Sequence, residues 1–195
     1  MISLSLGLGL GLFLSGFIHR IFPLTEREWE IVRRLQAAAR SLNGVGFFQK
    51  IWFFGRTTFA LAALSGLTLV KWKAGLAAFS AFGFIVGLEY LLKGSIERER
   101  PFQTSGQIAM LQPEEPQDAS FPSGDTLRIW YVALILGTIL GTPSFWIGAI
   151  LLALSVTLGR MVLGVHYPSD VLTGAGLGLM GASLAAWLWQ VYNLI

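Results

Sequence analysis

Apolar residues in this chain gather in long runs, with polar residues confined to the segments between them. A helix needs about 20 mostly apolar residues to cross a bilayer. Six stretches approach that length: 2–18, 57–70, 75–92, 126–141, 145–163 and 170–192. The first stops at His19 and Arg20, the second lies between Arg56 and Lys71, and the third ends at Lys93. The second and fourth are short, so Arg56 and Arg128 are expected to snorkel toward the interface and lengthen them. The pattern predicts an all-α, polytopic membrane protein: six transmembrane helices forming a single domain over 1–195.

Two intervening segments refine that plan. Within 19–56, Thr25 and Glu28 have capping-box spacing. Trp29, Val32, Leu35 and Ala39 then recur at helical spacing, while Glu30, Arg33, Arg34, Ala37 and Arg40 face elsewhere. This predicts an amphipathic helix after the first span, lying either in the membrane interface or against the bundle. Segment 94–121 is polar and rich in Glu, Gln, Pro and Ser. Loops longer than about 12–15 residues in compact domains are usually functional or disordered, and the two ends of this one carry chemistry. The glycine series Gly7, Gly9, Gly11 and Gly174, Gly176, Gly178 predicts close helix packing.

Composition narrows the class. The chain is 54% hydrophobic and 13% charged, about half the charge of a soluble domain, and its mean hydropathy is +0.64. With no cysteine there are no disulfides, thiolate metal sites or cysteine nucleophiles. The formal charge of +3 makes no nucleic-acid surface, because the arginines fall between membrane segments. The N-terminus lacks a basic leader and a cleavage site, so its first run is read as a retained helix.

Charged and polar residues then collect at the ends of the runs. Lys93, Arg98 and Arg100 follow the third; Ser123, Gly124 and Asp125 open the fourth; Arg160 nears the end of the fifth; His166 and Asp170 open the sixth. The third and fifth runs end on the face where the fourth and sixth begin, so all these residues lie on one side of the membrane. Charges beside a hydrocarbon core are costly and tend to be paired or functional. Lys93, Arg100 and Arg160 offer positive charge, and arginine forks match phosphate oxygens. Pro122-Ser123-Gly124 opens a helix, and a helix N-terminus favours an anion. His166 is the most plausible nucleophile. Asp170, four residues on, would hold its imidazole in one tautomer, with Pro168 in the first turn of the last helix. Alone, each has a plainer explanation: an interface anchor, a helix cap, a turn. Together they describe phosphoryl transfer through a phosphohistidine, driven by fixed positive groups around the phosphorus.

These residues resemble the three-part signature of the type 2 phosphatidic acid phosphatase family, membrane lipid phosphatases related to vanadium haloperoxidases. Lys93 is followed after six residues by Arg100-Pro101; Pro122-Ser123-Gly124 comes next; Arg160, His166 and Asp170 close the set. The resemblance implies phosphate binding by Lys93, Arg100 and Arg160 with help from Ser123 and Gly124. It implies His166 as nucleophile, Asp170 as its partner, and no metal or other cofactor. The implied partner is a membrane lipid carrying a phosphate monoester or diphosphate, such as lipid A 1-phosphate, a polyprenyl diphosphate or phosphatidylglycerol phosphate. A lipid phosphotransferase and a non-catalytic phosphate-binding membrane protein are the alternatives. The family's placement implies a bacterial cytoplasmic membrane with the site facing the periplasm or exterior. The distribution of Arg20, Arg27, Arg33, Arg34, Arg40, Lys50 and Arg56 points to a cytoplasmic site instead.

One departure stands out. The family's second motif ends in a histidine that protonates the leaving group, and here that position is Asp125. The other histidine, His19, is far away in sequence and reads as an interface residue. An aspartate among cations is expected to be ionised, and an ionised aspartate cannot donate a proton, whereas burial or a bound phosphate pushes the other way. Either the substrate has a good leaving group, such as a lipid monophosphate leaving from a diphosphate, or Asp125 is protonated in the complex and acts as the acid.

Overall fold

In a computed structural model of the chain, residues 2–17, 25–104 and 106–195 are described. His19 and Arg20, and the Thr25 side chain of the capping-box expectation, lie outside that description. The described residues form helices α1 (Ile2–Gly16), α2 (Thr25–Ser41), α3 (Val45–Ile51), α4 (Thr57–Val70), α5 (Trp72–Ile96), α6 (Gly124–Leu140), α7 (Pro143–Val162) and α8 (Pro168–Val191). A 3₁₀ turn at Trp52–Gly55 links α3 to α4, and a single helical turn spans Pro101–Thr104. No strand occurs among the described residues.

The boundaries follow local chemistry. Pro143 and Pro168 sit in the first turns of α7 and α8, where a missing N–H costs nothing. Thr142 Oγ1 accepts from Phe145 N at 3.3 Å, and Asp170 Oδ2 accepts from Tyr167 N at 2.8 Å, so both starts are capped. α6 stops at Gly141, whose φ of +64° suits a residue without Cβ.

Helix α8 is the hub, packing on α1, α5 and α6. Its glycines make this possible. A Cβ at Gly176 would crowd the α1 backbone at Phe13 and Gly9, and one at Gly178 would lie 2.6 Å from Leu127 O of α6. Gly9 answers from α1, whereas Gly7 and Gly11 face open space, so only part of the glycine series serves packing. Leu64, Phe82, Ile85, Leu127, Tyr131, Leu177 and Trp189 fill the core between α4, α5, α6 and α8. The polar ends of its large aromatics are satisfied: Tyr131 Oη donates to Ala78 O at 2.6 Å and Trp189 Nε1 to Ala74 O at 2.9 Å.

The helices fall where the six apolar runs lie, but among the described residues fewer than six helices are long and apolar enough to span a membrane. Trp72–Thr104, α7 and α8 qualify, with a fourth if Val45–Gly55 and α4, bent by 47°, count as one span. α1 has 15 residues and α6 has 17. α6 gives up its first turn to Asp125 and Arg128, which face the polar site rather than lipid.

The amphipathic helix after the first run is α2, and it packs on the bundle. Glu28, Val32, Gln36 and Ala39 are its buried positions. Gln36 accepts from Ala109 N at 3.0 Å and donates to Ala109 O at 2.8 Å and Val162 O at 3.1 Å. Its inner face is therefore partly polar, which apolar periodicity does not reveal.

Candidate active site

The ends of α5, α7 and the loop 106–122 meet the starts of α6 and α8 around a polar cavity of about 260 Å³. Lys93, Arg100, Gly124, Asp125, Arg160 and His166 all line it. Residues up to 73 positions apart in the sequence, Lys93 to His166, thus share one site. Ser123 and Asp170 lie behind the wall, both fully buried. Ser123 N donates to Asp170 O at 3.0 Å, and its Oγ pairs with Thr126 Oγ1 at 3.0 Å. Ser123 thus ties the start of α6 to the start of α8.

His166 sits in the turn between α7 and α8 and is 3% exposed. Its Nε2 lies 3.2 Å from Arg100 Nη1. A guanidinium has only donors, so Nε2 is the acceptor and carries the lone pair. The proton is then on Nδ1, which faces Asp170 Oδ2 at 3.6 Å and Ser120 Oγ at 3.5 Å. The Asp170 contact is longer than a hydrogen bond. Burial first, then the adjacent Arg100 charge, pulls the imidazole down from 6.5 to about 3. The ring is neutral at ordinary pH, with the Nε2 lone pair directed at Arg100.

Asp170 is the anchor of a buried network. Its Oδ2 accepts from Ser120 Oγ at 2.6 Å and Tyr167 N at 2.8 Å, and its Oδ1 from Arg98 Nη1 at 2.6 Å. Arg98 also bonds Ser169 Oγ at 2.6 Å and Glu28 Oε2 at 2.6 Å, and stacks 4.1 Å from the centre of the Tyr167 ring. Glu28 Oε1 accepts from Ser169 N at 2.8 Å, so α2 is latched to the start of α8.

Arg100 is held on several sides. It donates to Val165 O at 2.8 Å, to Asp118 O at 3.0 Å and to Asp118 Oδ1 at 2.7 Å. Lys93 Nζ reaches Ala119 O at 2.7 Å and Asp118 Oδ2 at 3.0 Å. The Asp118 carboxylate therefore occupies two of the donors expected to hold phosphate. Burial would push Asp118 up, but Lys93 and Arg100 outweigh it and hold the carboxyl at about 2. Arg160 Nη2 bonds Gln112 Oε1 and pairs with Asp125 Oδ2 at 3.1 Å. Its Nε and Nη1 are buried with no partner among the described residues, leaving donors for an anion.

Asp125 is engaged on both oxygens. Oδ2 also accepts from Trp52 Nε1 at 2.9 Å, and Oδ1 faces Arg128 Nη1 at 3.4 Å. It acts as an acceptor toward three donors, an arrangement that suits a carboxylate and not an acid.

Several cavity residues have no place in the motif pattern. Arg128 does not snorkel: it turns inward to Asp125 and to Glu89 Oε2 at 3.2 Å. Arg56 binds Glu114 through both nitrogens at 3.0 and 3.1 Å and lies over the Trp52 ring. Glu89, an ionisable residue inside the apolar run of α5, is the available signal, since such residues are expensive unless used.

Known proteins resemble this chain in sequence and in fold. The model of the PAP2 superfamily matches residues 72–194. The chain is 31% identical over 147 residues to a decaprenylphosphoryl-5-phosphoribose phosphatase of Mycobacterium tuberculosis, 73% of each chain being covered. It is 34% identical over 107 residues to an undecaprenyl-diphosphatase of Sulfolobus acidocaldarius, covering 54% of this chain and 50% of the other. A crystal structure of a transmembrane PAP2 type phosphatidylglycerolphosphate phosphatase from Bacillus subtilis has the same fold. It superposes with a TM-score of 0.75 at 24% identity, covering 94% of this chain and 96% of that one. LpxE of Aquifex aeolicus follows at 0.67 and 23% identity, covering 81% and 93%.

Proposed function

We propose that this chain, which belongs to the PAP2 superfamily, is an integral-membrane hydrolase that removes phosphate from a lipid phosphate through a phosphohistidine at His166. The observation that carries the proposal is the pairing of a neutral, buried imidazole with Arg100. Nε2 offers its lone pair toward the cavity lined by Lys93, Arg100 and Arg160. Phosphate would seat on these cations in place of the Asp118 carboxylate. Nε2 would attack phosphorus, and the cations would hold the charge that builds on the equatorial oxygens. Asp170 would steady the protonated side of the ring, helped by Ser120, as the ring gains charge. Gly124 brings the start of α6 to the same cavity, with Ser123 fixing that helix end from behind. Asp125 would hold Arg160 and Arg128 in place, not deliver a proton.

The substrate class is supported by relatives named for polyprenyl-linked phosphates, a decaprenylphosphoryl-5-phosphoribose phosphatase and an undecaprenyl-diphosphatase. We favour a polyprenyl phosphate or diphosphate, with phosphatidylglycerol phosphate and lipid A 1-phosphate as alternatives. All six apolar helices would cross or line the bilayer, with the site toward the periplasm or exterior of a bacterial cytoplasmic membrane. Labelling of a Gln107→Cys variant in intact cells tests that orientation. The activity test is phosphate release from purified protein given a panel of lipid phosphates and diphosphates. Release that is blocked by vanadate and abolished in His166→Ala is the expected result; binding without turnover would overturn the proposal.

A further inference from the structure

Cleaving a lipid ester by a phosphohistidine route leaves one requirement open: the departing oxygen needs a proton. The superfamily-type histidine that would supply it is replaced by Asp125. The cavity holds three carboxyl groups, Asp118, Asp125 and Glu89. Asp118 is bound by Lys93 and Arg100 at 2.7–3.0 Å. Asp125 accepts from Trp52, Arg160 and Arg128. Neither can carry a proton without giving up strong donors.

Glu89 is different. It lies one helical turn before Lys93 on α5 and is 4% exposed, yet it lines the cavity. Its one hydrogen-bond partner among the described residues is Arg128 Nη2, at 3.2 and 3.5 Å from its two oxygens. Arg128 is divided between Glu89 and Asp125. The carboxyl also abuts Gly124: a Cβ there would run into Glu89 Oε1. Glycine at the start of α6 leaves the space in which the Glu89 carboxyl sits; a larger residue there would make it shift. A buried carboxyl with a single, shared partner gives up less on taking a proton than its two neighbours, each of which faces several donors.

Resting on the phosphohistidine proposal above, we infer that Glu89 is the general acid, and then the general base, of the reaction. The carboxylic acid gives its proton to the bridging oxygen as that oxygen–phosphorus bond breaks and the Nε2–phosphorus bond forms. The lipid leaves protonated and Glu89 remains as the carboxylate. Water then attacks the phosphohistidine, its proton passing to Glu89 as the Nε2–phosphorus bond breaks. Inorganic phosphate, neutral His166 and protonated Glu89 result, closing the cycle. Arg128 positions the carboxyl and stabilises its charged stage. With an acid in place, a lipid alcohol is an acceptable leaving group, and the substrate need not be a diphosphate.

The test compares a substrate that needs leaving-group protonation, phosphatidic acid, with one that does not, p-nitrophenyl phosphate. General acids are worth about 10²–10⁴-fold. Glu89→Gln should lose a factor in that range on phosphatidic acid, while rapid-quench formation of the phosphoenzyme from p-nitrophenyl phosphate falls far less. Asp125→Asn should lose similar factors on both. Glu89→Asp, which keeps the carboxyl one methylene shorter, is the second variant should Glu89→Gln not fold. It should show the same bias toward loss on phosphatidic acid. Equal loss on the two substrates in either Glu89 variant, or a leaving-group bias in Asp125→Asn instead, overturns the inference. A native protein that forms no acid-labile phosphoenzyme from either substrate would sink the His166 proposal itself, a separate outcome.

Discussion

Asp118 places one carboxylate oxygen 2.7 Å from Arg100 Nη2, as a phosphate oxygen would be placed. Its other oxygen is 3.0 Å from Lys93 Nζ. Held at about 2 by these cations, the group is charged at neutral pH. An incoming phosphate must displace it. Because Asp118 is 57% exposed, solvent screening keeps the pair weak, within the roughly 0.2–1 kcal/mol of surface ion pairs. Asp118→Asn should therefore strengthen vanadate inhibition and lower KM by roughly two- to five-fold. A rise in both would mean that Asp118 orients the two cations and does not compete for them.

The titration of His166 gives a second expectation. Its folded value of about 3 lies below the ordinary 6.5, so the folded protein favours the neutral ring. Between those values an unfolded chain binds the proton and the folded chain does not, so stability falls as pH drops below about 6.5. The nucleophile itself stays neutral through that range. Histidine ring resonances of a His19→Gln variant in detergent should show His166 without a titration step from pH 8 to 5. An inflection near 6–7 would mean that the imidazole is not sealed against Arg100 as described.

The Arg98 cluster predicts a positional effect. Arg98 bridges Glu28 of α2 and Asp170 behind the nucleophile, all three being nearly buried. Removing it strands two buried carboxylates, at a cost of about 3–5 kcal/mol. Arg98→Ala should lower the thermal midpoint sharply. Arg98→Lys should fold, since it keeps the charge, but lose the fork that reaches both acids. Its expected signature is a lower kcat with little change in KM. A KM effect alone would place Arg98 on the substrate and not behind Asp170.

Much of this site is legible in the amino-acid sequence, because each motif residue stands at the end of an apolar run and alternating runs share a face. Lys93, Arg100, Arg160 and His166 emerge in that way. Their settings do not. Arg128 reads as an interface anchor because a charge near a helix start usually snorkels; its inward turn depends on Glu89, 39 positions earlier. Glu28 is readable as a cap residue and Gln36 carries no signal, since their partners Arg98, Ser169, Ala109 and Val162 are distant in sequence. Apolar run length makes α1 and α6 look like spans, and their 15 and 17 described residues sit at or below the short end of what crosses a bilayer.

One glycine of α8 and one of α1 offer a matched pair of substitutions. Gly174 backs directly onto the Ser123 carbonyl, which opens α6 at the active site. A methyl there meets backbone, which cannot rotate away, so it must push α6 from α8. The shift would act where Ser123 N bonds Asp170 O at 3.0 Å, the joint that aligns Gly124 with His166. Gly7 faces open space on α1, with no atom within 4 Å of an added Cβ. Replacing a helical glycine by alanine without a clash gains about 0.5–1 kcal/mol. Gly7→Ala should therefore leave activity intact and stability equal or higher. Gly174→Ala should lower both phosphatase activity and the thermal midpoint, by overpacking of about 1–3 kcal/mol. Measured side by side in detergent, the two variants separate a packing requirement from a general sensitivity of glycines in this protein. Equal behaviour would show that α6 and α8 are not pressed together at Ser123.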